Sequence, residues 1–257
     1  MSSSLTVLGS CGAWPEPGRA CSGFVLEHEG FRVVLDLGYG TLSRLLAHLG
    51  SAVGDGVDAV VVTHHHPDHM LDLHGLFRAR WFGRRDAAPI PLYAPPRVLA
   101  MLKSLEDEDP DDVDRVLAHR PLPAGPYDVG PFVLTSRALP HFVPNAGVRL
   151  AADGLCVSYT GDTGPDAALA DLGRDADLFV VEASDRHQRR GVPPAATTSL
   201  HLSARQAGQA AAAAGARRLL LTHFWPGNDR ERSRADAAAV FDGEVMLAEE
   251  GLRIALP

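Results

Sequence analysis

Short apolar runs alternate with stretches of helical spacing along the whole chain. LTVLGS at 5–10, GFVLEH at 23–28 and FRVVLDLG at 31–38 read as strands, the last two joined by a turn at Glu29-Gly30. TLSRLLAHL at 41–49 places apolar residues three and four apart and reads as a helix. DAVVVTH at 58–64 is an unbroken apolar run rich in β-branched residues, the pattern of a strand buried on both faces. A helix is predicted over 72–82, a strand over 91–94 and a proline-started helix over 95–105. The second half repeats this rhythm, with strands over 155–162, 177–184 and 218–224. Helices are predicted over 203–215, where Ser203 is placed to cap, and over 233–241, before one or two closing strands in 244–256. Alternation of this kind predicts an α/β protein, and with no glycine/serine-rich linker residues 1–257 read as a single domain.

Two of the predicted strands end alike, AVVVTH at 59–64 and LLLTHF at 219–224. Ligands of α/β proteins gather at the carboxyl ends of such strands, so the two halves are expected to aim histidines at a shared site.

Composition narrows the field of functions. No run approaches the roughly 20 apolar residues needed to cross a bilayer, and the first residues lack a basic segment followed by a long apolar one. Three widely spaced cysteines, Cys11, Cys21 and Cys156, make no disulfide framework and read as small buried residues. A soluble cytoplasmic protein is the expectation. Net charge is −8, yet seven acids fall in EDEDPDDVD at 106–114, and outside that run 25 acids face 24 bases. The run reads as a solvated loop or helix start. Nucleic-acid binders carry a basic stripe that neutralises phosphates. Here the arginines pair only as Arg84-Arg85, Arg189-Arg190 and Arg217-Arg218, read as solvated surface doublets, so a nucleic-acid partner is not expected.

The chemistry concentrates in THHHPDH at 63–69. At an extended strand end residues i and i+2 face the same way, so His64 and His66 can chelate one ion while His65 points elsewhere. Asp68 and His69, past Pro67 where the chain bends back across the strand end, can reach a second ion about 3.5–4 Å away. Further donors are sought at other strand ends: His141, Asp162 and His223. A carboxylate can bridge two ions, which suits Asp162 to a shared position. Taken singly, His141 also reads as a loop histidine and Asp162 as a turn residue before glycine.

With LTVLGSCGAWPEPGRACSGFVLE, THHHPDHMLDLHGL, LPH, YTGDTG, VEAS, HLSARQAGQAA and LLLTHF, nearly the whole chain resembles the metallo-β-lactamase-fold superfamily, in its ribonuclease Z and phosphodiesterase branch. The resemblance implies a four-layer αβ/βα sandwich, two mixed β-sheets flanked by helices, with two divalent ions at one edge. Zinc is usual, and manganese or iron tolerates the same donors. It assigns His64, His66 and His141 to one ion, Asp68, His69 and His223 to the other, and Asp162 to the bridge. It also assigns a proton-handling pair to Glu182 and His201, since a carboxylate beside an imidazole favours the imidazolium acid. Asp68 is expected to orient the attacking hydroxide as well.

Members that process tRNA carry a basic arm between the positions matching His141 and Asp162. Here those residues are 21 apart and joined by two strand-like pieces, GVRLAADGLCVSY, which leaves no room for an arm. The compact cyclic-nucleotide phosphodiesterases resemble the chain more closely and imply a small substrate, 3′,5′-cyclic AMP, hydrolysed to the 5′-monophosphate. An RNA 3′-end nuclease and a lactone or thioester hydrolase are the alternatives. Phe224 and Trp225 follow a ligand position directly, so either can stack a base at the site mouth or pack as core. A homodimer is suggested by analogy alone.

Overall fold

The computed structural model describes residues 3–106, 109–188 and 200–257. The Arg189-Arg190 doublet and residues 107–108 of the acidic run lie outside the described residues. The chain opens with three antiparallel strands, β1 (Ser3–Gly9), β2 (Gly23–His28) and β3 (Phe31–Leu37). There follow α1 (Thr41–Leu49), β4 (Ala59–Val61), α2 (Pro67–Gly83), β5 (Ile90–Ala94), α3 (Pro96–Ser104), α4 (Asp112–Val116) and β6 (Leu117–Pro121). The second half contains β7 (Tyr127–Val129), β8 (Phe132–Leu139), β9 (Asn145–Ala152), β10 (Leu155–Tyr159), α5 (Ala168–Leu172) and β11 (Leu178–Glu182). It ends with α6 (Ala204–Ala214), β12 (Arg218–Thr222), α7 (Arg230–Ala238), β13 (Glu244–Leu247) and β14 (Arg253–Leu256).

Among the described residues the strands form two seven-stranded sheets, ordered β14-β1-β2-β3-β4-β5-β6 and β13-β12-β11-β10-β9-β8-β7. Both are mixed, and β14 returns from the second half to pair antiparallel with β1. Alternate side chains decide the layers. Val33 and Leu35 of β3 join Leu5, Phe24 and Val61 in packing against Leu134, Val148, Tyr159 and Val180 of the other sheet. Val34 faces the opposite way, into a cluster with Leu45, Leu73, Phe77, Val98 and Val113 from α1 to α4. Leu169, Ala207, Ala211 and Ala237 cover the outer side of the second sheet from α5, α6 and α7. The result is the helix–sheet–sheet–helix sandwich expected.

The differences from the sequence reading have local causes. α2 begins at Pro67, five residues before the predicted start, with the proline in the first turn where its missing N–H costs nothing. Asp68 and His69 therefore stand on the first turn of a helix rather than in a bend before it. α7 begins at Arg230, three residues early, because the Asp229 side chain caps it by accepting from Arg232 N. α4 starts inside the acidic run read as a loop or helix start, whereas α5, five residues long and too short to show a period, and the bounds of β6, β7 and β8 were not anticipated. All three cysteines are free and buried. Among the described residues no helix is long and apolar enough to cross a membrane.

Candidate metal centre

The ends of β4, β8, β10, β11 and β12 converge on one edge of the sandwich, where the two sheets are stitched together. Ala146 N donates to Thr63 O across the sheets at 2.9 Å. Gly161 permits the approach: with φ of 57°, any Cβ there would lie 2.7 Å from Thr63 Cβ. That contact sets Asp162, just past β10, beside the histidines that follow β4.

Two of those histidines, His64 and His66, form a compact group with Asp162 and with His141 from the end of β8. His66 has extended backbone as the N-cap of α2, so it shares a side with His64, as alternation requires. His66 Nδ1 lies 3.1 Å from His64 Nε2 and 3.1 Å from His141 Nε2. Asp162 Oδ2 is 3.9 Å from His64 Nε2 and 3.7 Å from His141 Nε2. His65 is not among the residues of the group.

A second group shares Asp162. His69 Nε2 and His223 Nε2 lie 3.1 and 3.2 Å from Asp162 Oδ1, and Asp68 Oδ2 is 3.2 Å from His223 Nε2. Asp68 is aimed by the loop after β1: Ala13 N donates to its Oδ2 at 2.7 Å from a left-handed residue, φ 63°. Gly12 lets that loop lie against the ring of His223, 2.6 Å from where a Cβ would sit.

The outward nitrogens are committed, which fixes the direction of the inward ones. His64 Nδ1 meets Thr63 Oγ1 at 3.1 Å, and His141 Nδ1 donates to Leu200 O at 3.0 Å. His69 Nδ1 bonds Asp36 Oδ2 at 2.8 Å, and His223 Nδ1 bonds Ser184 Oγ at 2.9 Å. Asp36 is a residue the sequence reading missed. It is the extra residue of a β-bulge, since Leu35 opposes Phe24 while Leu37 opposes Gly23. Its φ of 56° turns the carboxylate inward, where it also accepts from Thr63 N at 2.8 Å and Tyr159 OH at 2.8 Å.

This donor set fits divalent cations. His69 Nε2 and Asp162 Oδ1 are buried and 3.1 Å apart, yet neither has a hydrogen-bond partner. A ring nitrogen and a carboxylate oxygen held this close with no aligned hydrogen bond between them are a pair that a cation would satisfy. Burial, together with neighbouring imidazoles, keeps His64 well below the usual histidine range and His66 down to about 4, so both present lone pairs. Burial opposes charge on His69 as well, but Asp162, Asp68 and Asp36 outweigh it and push its pKa well up. The second group is thus a place where carboxylates demand positive charge. The potential ligand atoms in each group lie within 4.8 Å of one another.

Glu182 at the end of β11 and His201 before α6 meet beside these groups. His201 Nδ1 is 3.1 and 3.2 Å from the two Glu182 oxygens, and its ring stacks on His223 at 5.7 Å. Burial alone would depress His201, but the Glu182 charge and hydrogen bond, aided by Asp162, push it up to about 9. It is an imidazolium at neutral pH.

The mouth corrects one expectation. Phe224 is fully buried, packed beneath the Arg230 guanidinium at 4.5 Å, and its ring is core rather than a surface for a base. Trp225 points the other way, edge-on to Trp14 at 5.3 Å, with the Arg186 guanidinium 4.9 Å from its ring centre. Phe142, which follows His141 directly, is 62% exposed with its ring 6.0 Å from that of His201. Phe142 and Trp14 were not singled out in the sequence, although the LPHF quartet carried the signal.

Residues 22–224 match the family described as beta-lactamase superfamily domain. An uncharacterized protein of Mycobacterium leprae is 35% identical over 254 residues, covering 96% of this chain and 86% of its own. A ribonuclease Z of Kineococcus radiotolerans is 31% identical over 285 residues, covering 91% of this chain and 88% of its own. The probable metallo-hydrolase YhfI of Bacillus subtilis is 28% identical, covering 96% and 97%. The crystal structure of that metallo-beta-lactamase fold protein superposes with a TM-score of 0.85, covering 99% of this chain and 100% of the other at 26% identity. A relative named ribonuclease Z leaves the expectation against nucleic acid without support.

Proposed function

The chain belongs to the β-lactamase superfamily, in its ribonuclease Z-like branch, and is a metallo-hydrolase; from that premise we propose a two-ion phosphodiesterase acting on a small phosphodiester, foremost 3′,5′-cyclic AMP. In this reading His64, His66 and His141 hold one ion, Asp68, His69 and His223 the other, and Asp162 both. Zinc is the first expectation, with manganese or iron compatible with the same donors. Divalent ions held there supply Lewis acidity toward the phosphoryl oxygens and toward water.

The rest of the chemistry falls to the chain itself. Asp68, fixed by Ala13 N–H, orients the attacking water by hydrogen bonding. An alkoxide leaving phosphorus needs a proton, and the observation that carries the proposal is an acid built for it. His201 is buried, is cationic at neutral pH, and is held through Nδ1 by Glu182, so its other ring nitrogen delivers the proton. Glu182 holds the ring through both carboxylate oxygens until transfer. Phe142 beside His201, and the Trp14–Trp225 pair with Arg186, offer surfaces on which a base can stack.

A small substrate is favoured by the connection between His141 and Asp162. It is filled by β9, a two-residue turn and β10, with Ala152 opposite Leu155. The ribonuclease Z relative favours the rival reading, RNA 3′-end cleavage. Lactone or thioester hydrolysis is the third possibility and needs no Glu182–His201 pair. The deciding experiment measures 5′-monophosphate release from 3′,5′-cyclic AMP by metal-quantified protein beside His201→Ala, with a tRNA precursor and a lactone in parallel. Cyclic-nucleotide turnover lost in the variant supports the proposal. Turnover of only the tRNA precursor, with affinity falling steeply as salt rises, replaces it with the nuclease. A His201→Ala protein that keeps both ions and full activity removes the assigned acid.

A further inference from the structure

Ser184 stands where the acid pair and the second ligand group touch. It lies two residues past Glu182 and is fully buried. Four atoms converge on its hydroxyl: Glu182 Oε2 at 2.7 Å, His223 Nδ1 at 2.9 Å, His201 Nδ1 at 3.3 Å and His223 O at 3.4 Å. An inventory of protons resolves who donates. The single Ser184 O–H donates to Glu182 Oε2, the acceptor at the shortest of the four distances. The hydroxyl oxygen must then accept, and His223 Nδ1–H is the donor nearest to it. His201 Nδ1–H is already spent on Glu182.

This assignment leaves His223 Nε2 with a lone pair facing Asp68 Oδ2 and Asp162 Oδ1, each at 3.2 Å. Such an arrangement is repulsive by itself and becomes favourable around a cation. Glu182 does not replace the hydroxyl as acceptor, because its Oε2 lies 4.0 Å from His223 Nδ1, beyond hydrogen-bond reach. Resting on the two-ion reading above, we infer that Ser184 is a positioning residue for His223. It holds the ring in the tautomer that offers Nε2 to a divalent cation, and it ties that ring to the carboxylate that orients His201. One hydroxyl thereby links ion binding to the alignment of the acid.

The test uses metal-free full-length protein titrated with zinc against a competing chelator, comparing wild type with Ser184→Ala and Ser184→Thr. Histidine ring-nitrogen NMR on the same proteins reads the tautomer of His223. Wild type is expected to take two ions and to carry the His223 proton on Nδ1. In Ser184→Ala one of the two dissociation constants rises about 10- to 100-fold, the other stays unchanged, and His223 becomes a mixture of tautomers. Ser184→Thr, which keeps the hydroxyl, restores the tighter constant and the single tautomer. It also carries the test alone if Ser184→Ala does not fold. The inference is overturned if Ser184→Ala binds both ions as tightly as wild type, if both constants weaken equally, or if wild-type His223 carries its proton on Nε2. Fewer than two ions on wild type would instead overturn the two-ion reading, and the tautomer signal would still decide what Ser184 does.

Discussion

Asp36 gathers four donors on one carboxylate: Thr63 N, Thr63 Oγ1, His69 Nδ1 and Tyr159 OH. An amide of the same shape must turn its own N–H groups toward some of them. Asp36→Asn is therefore expected to lose about 1–3 kcal/mol for each donor left unpaired, read as a lower urea midpoint of the metal-free protein. A midpoint equal to wild type would show that the network relaxes around the amide. Phe142→Ala tests the rim: KM for a cyclic nucleotide should rise roughly tenfold with kcat little changed, as loss of one base-stacking surface predicts. An unchanged KM would place the base elsewhere. The seven potential ligands were legible because histidines and aspartates crowd the ends of apolar runs, where such side chains have little structural use. Asp36 was not, because its role depends on a bulge, and a bulge is a mismatch between two strands that neither strand shows alone. Phe224, which packs as core, was misplaced for a related reason, while its neighbour Trp225 faces outward. Neighbours at a strand end face opposite sides, and which side is the core is fixed by what packs there.

The early start of α2 changes how the site is assembled. His64 and His66 use the two-residue repeat of extended chain, while Asp68 and His69 use consecutive positions of a first helical turn, so seven residues supply donors to both groups. The opposing wall is the loop after β1. Gly12→Ala would force it away from His223 and carry Ala13 N–H off Asp68, and misplacement of this size lowers kcat by up to about 100-fold. Kinetics beside a melting curve check this, the expectation being a large kcat loss with the fold retained. At the opposite side, α6 begins with a complete capping box, Ser203 with Gln206, two residues after His201. Ser203→Ala should cost about 1 kcal/mol in denaturant unfolding and reduce kcat as well, since the entry into α6 that holds His201 loosens. Long elements with a clear period, such as α1 and β2, were read to the residue. The five-residue helices and the strands of the middle hairpin were not, because so few residues cannot establish a repeat.

Donors come from both sheets. His64, Asp68 and His69 follow β4, whereas His141, Asp162 and His223 follow β8, β10 and β12. Ions held between them act as staples across the sandwich, so chelation should lower the melting temperature and added zinc restore it. The stabilisation is about 4 kcal/mol when free metal exceeds its dissociation constant a thousandfold. A melting temperature indifferent to chelator would argue against ions at this edge. The same split has a consequence for biosynthesis. Asp68 and His223, in contact here, are 155 residues apart in the chain. At roughly 5–20 residues per second, a ribosome needs about 8–31 s to deliver the second after the first. Throughout that interval the nascent chain lacks β12, the strand that brings His223 to Asp68 and His69. On the two-ion reading, completion of the second ligand group would therefore fall at the end of translation, when the last strands dock.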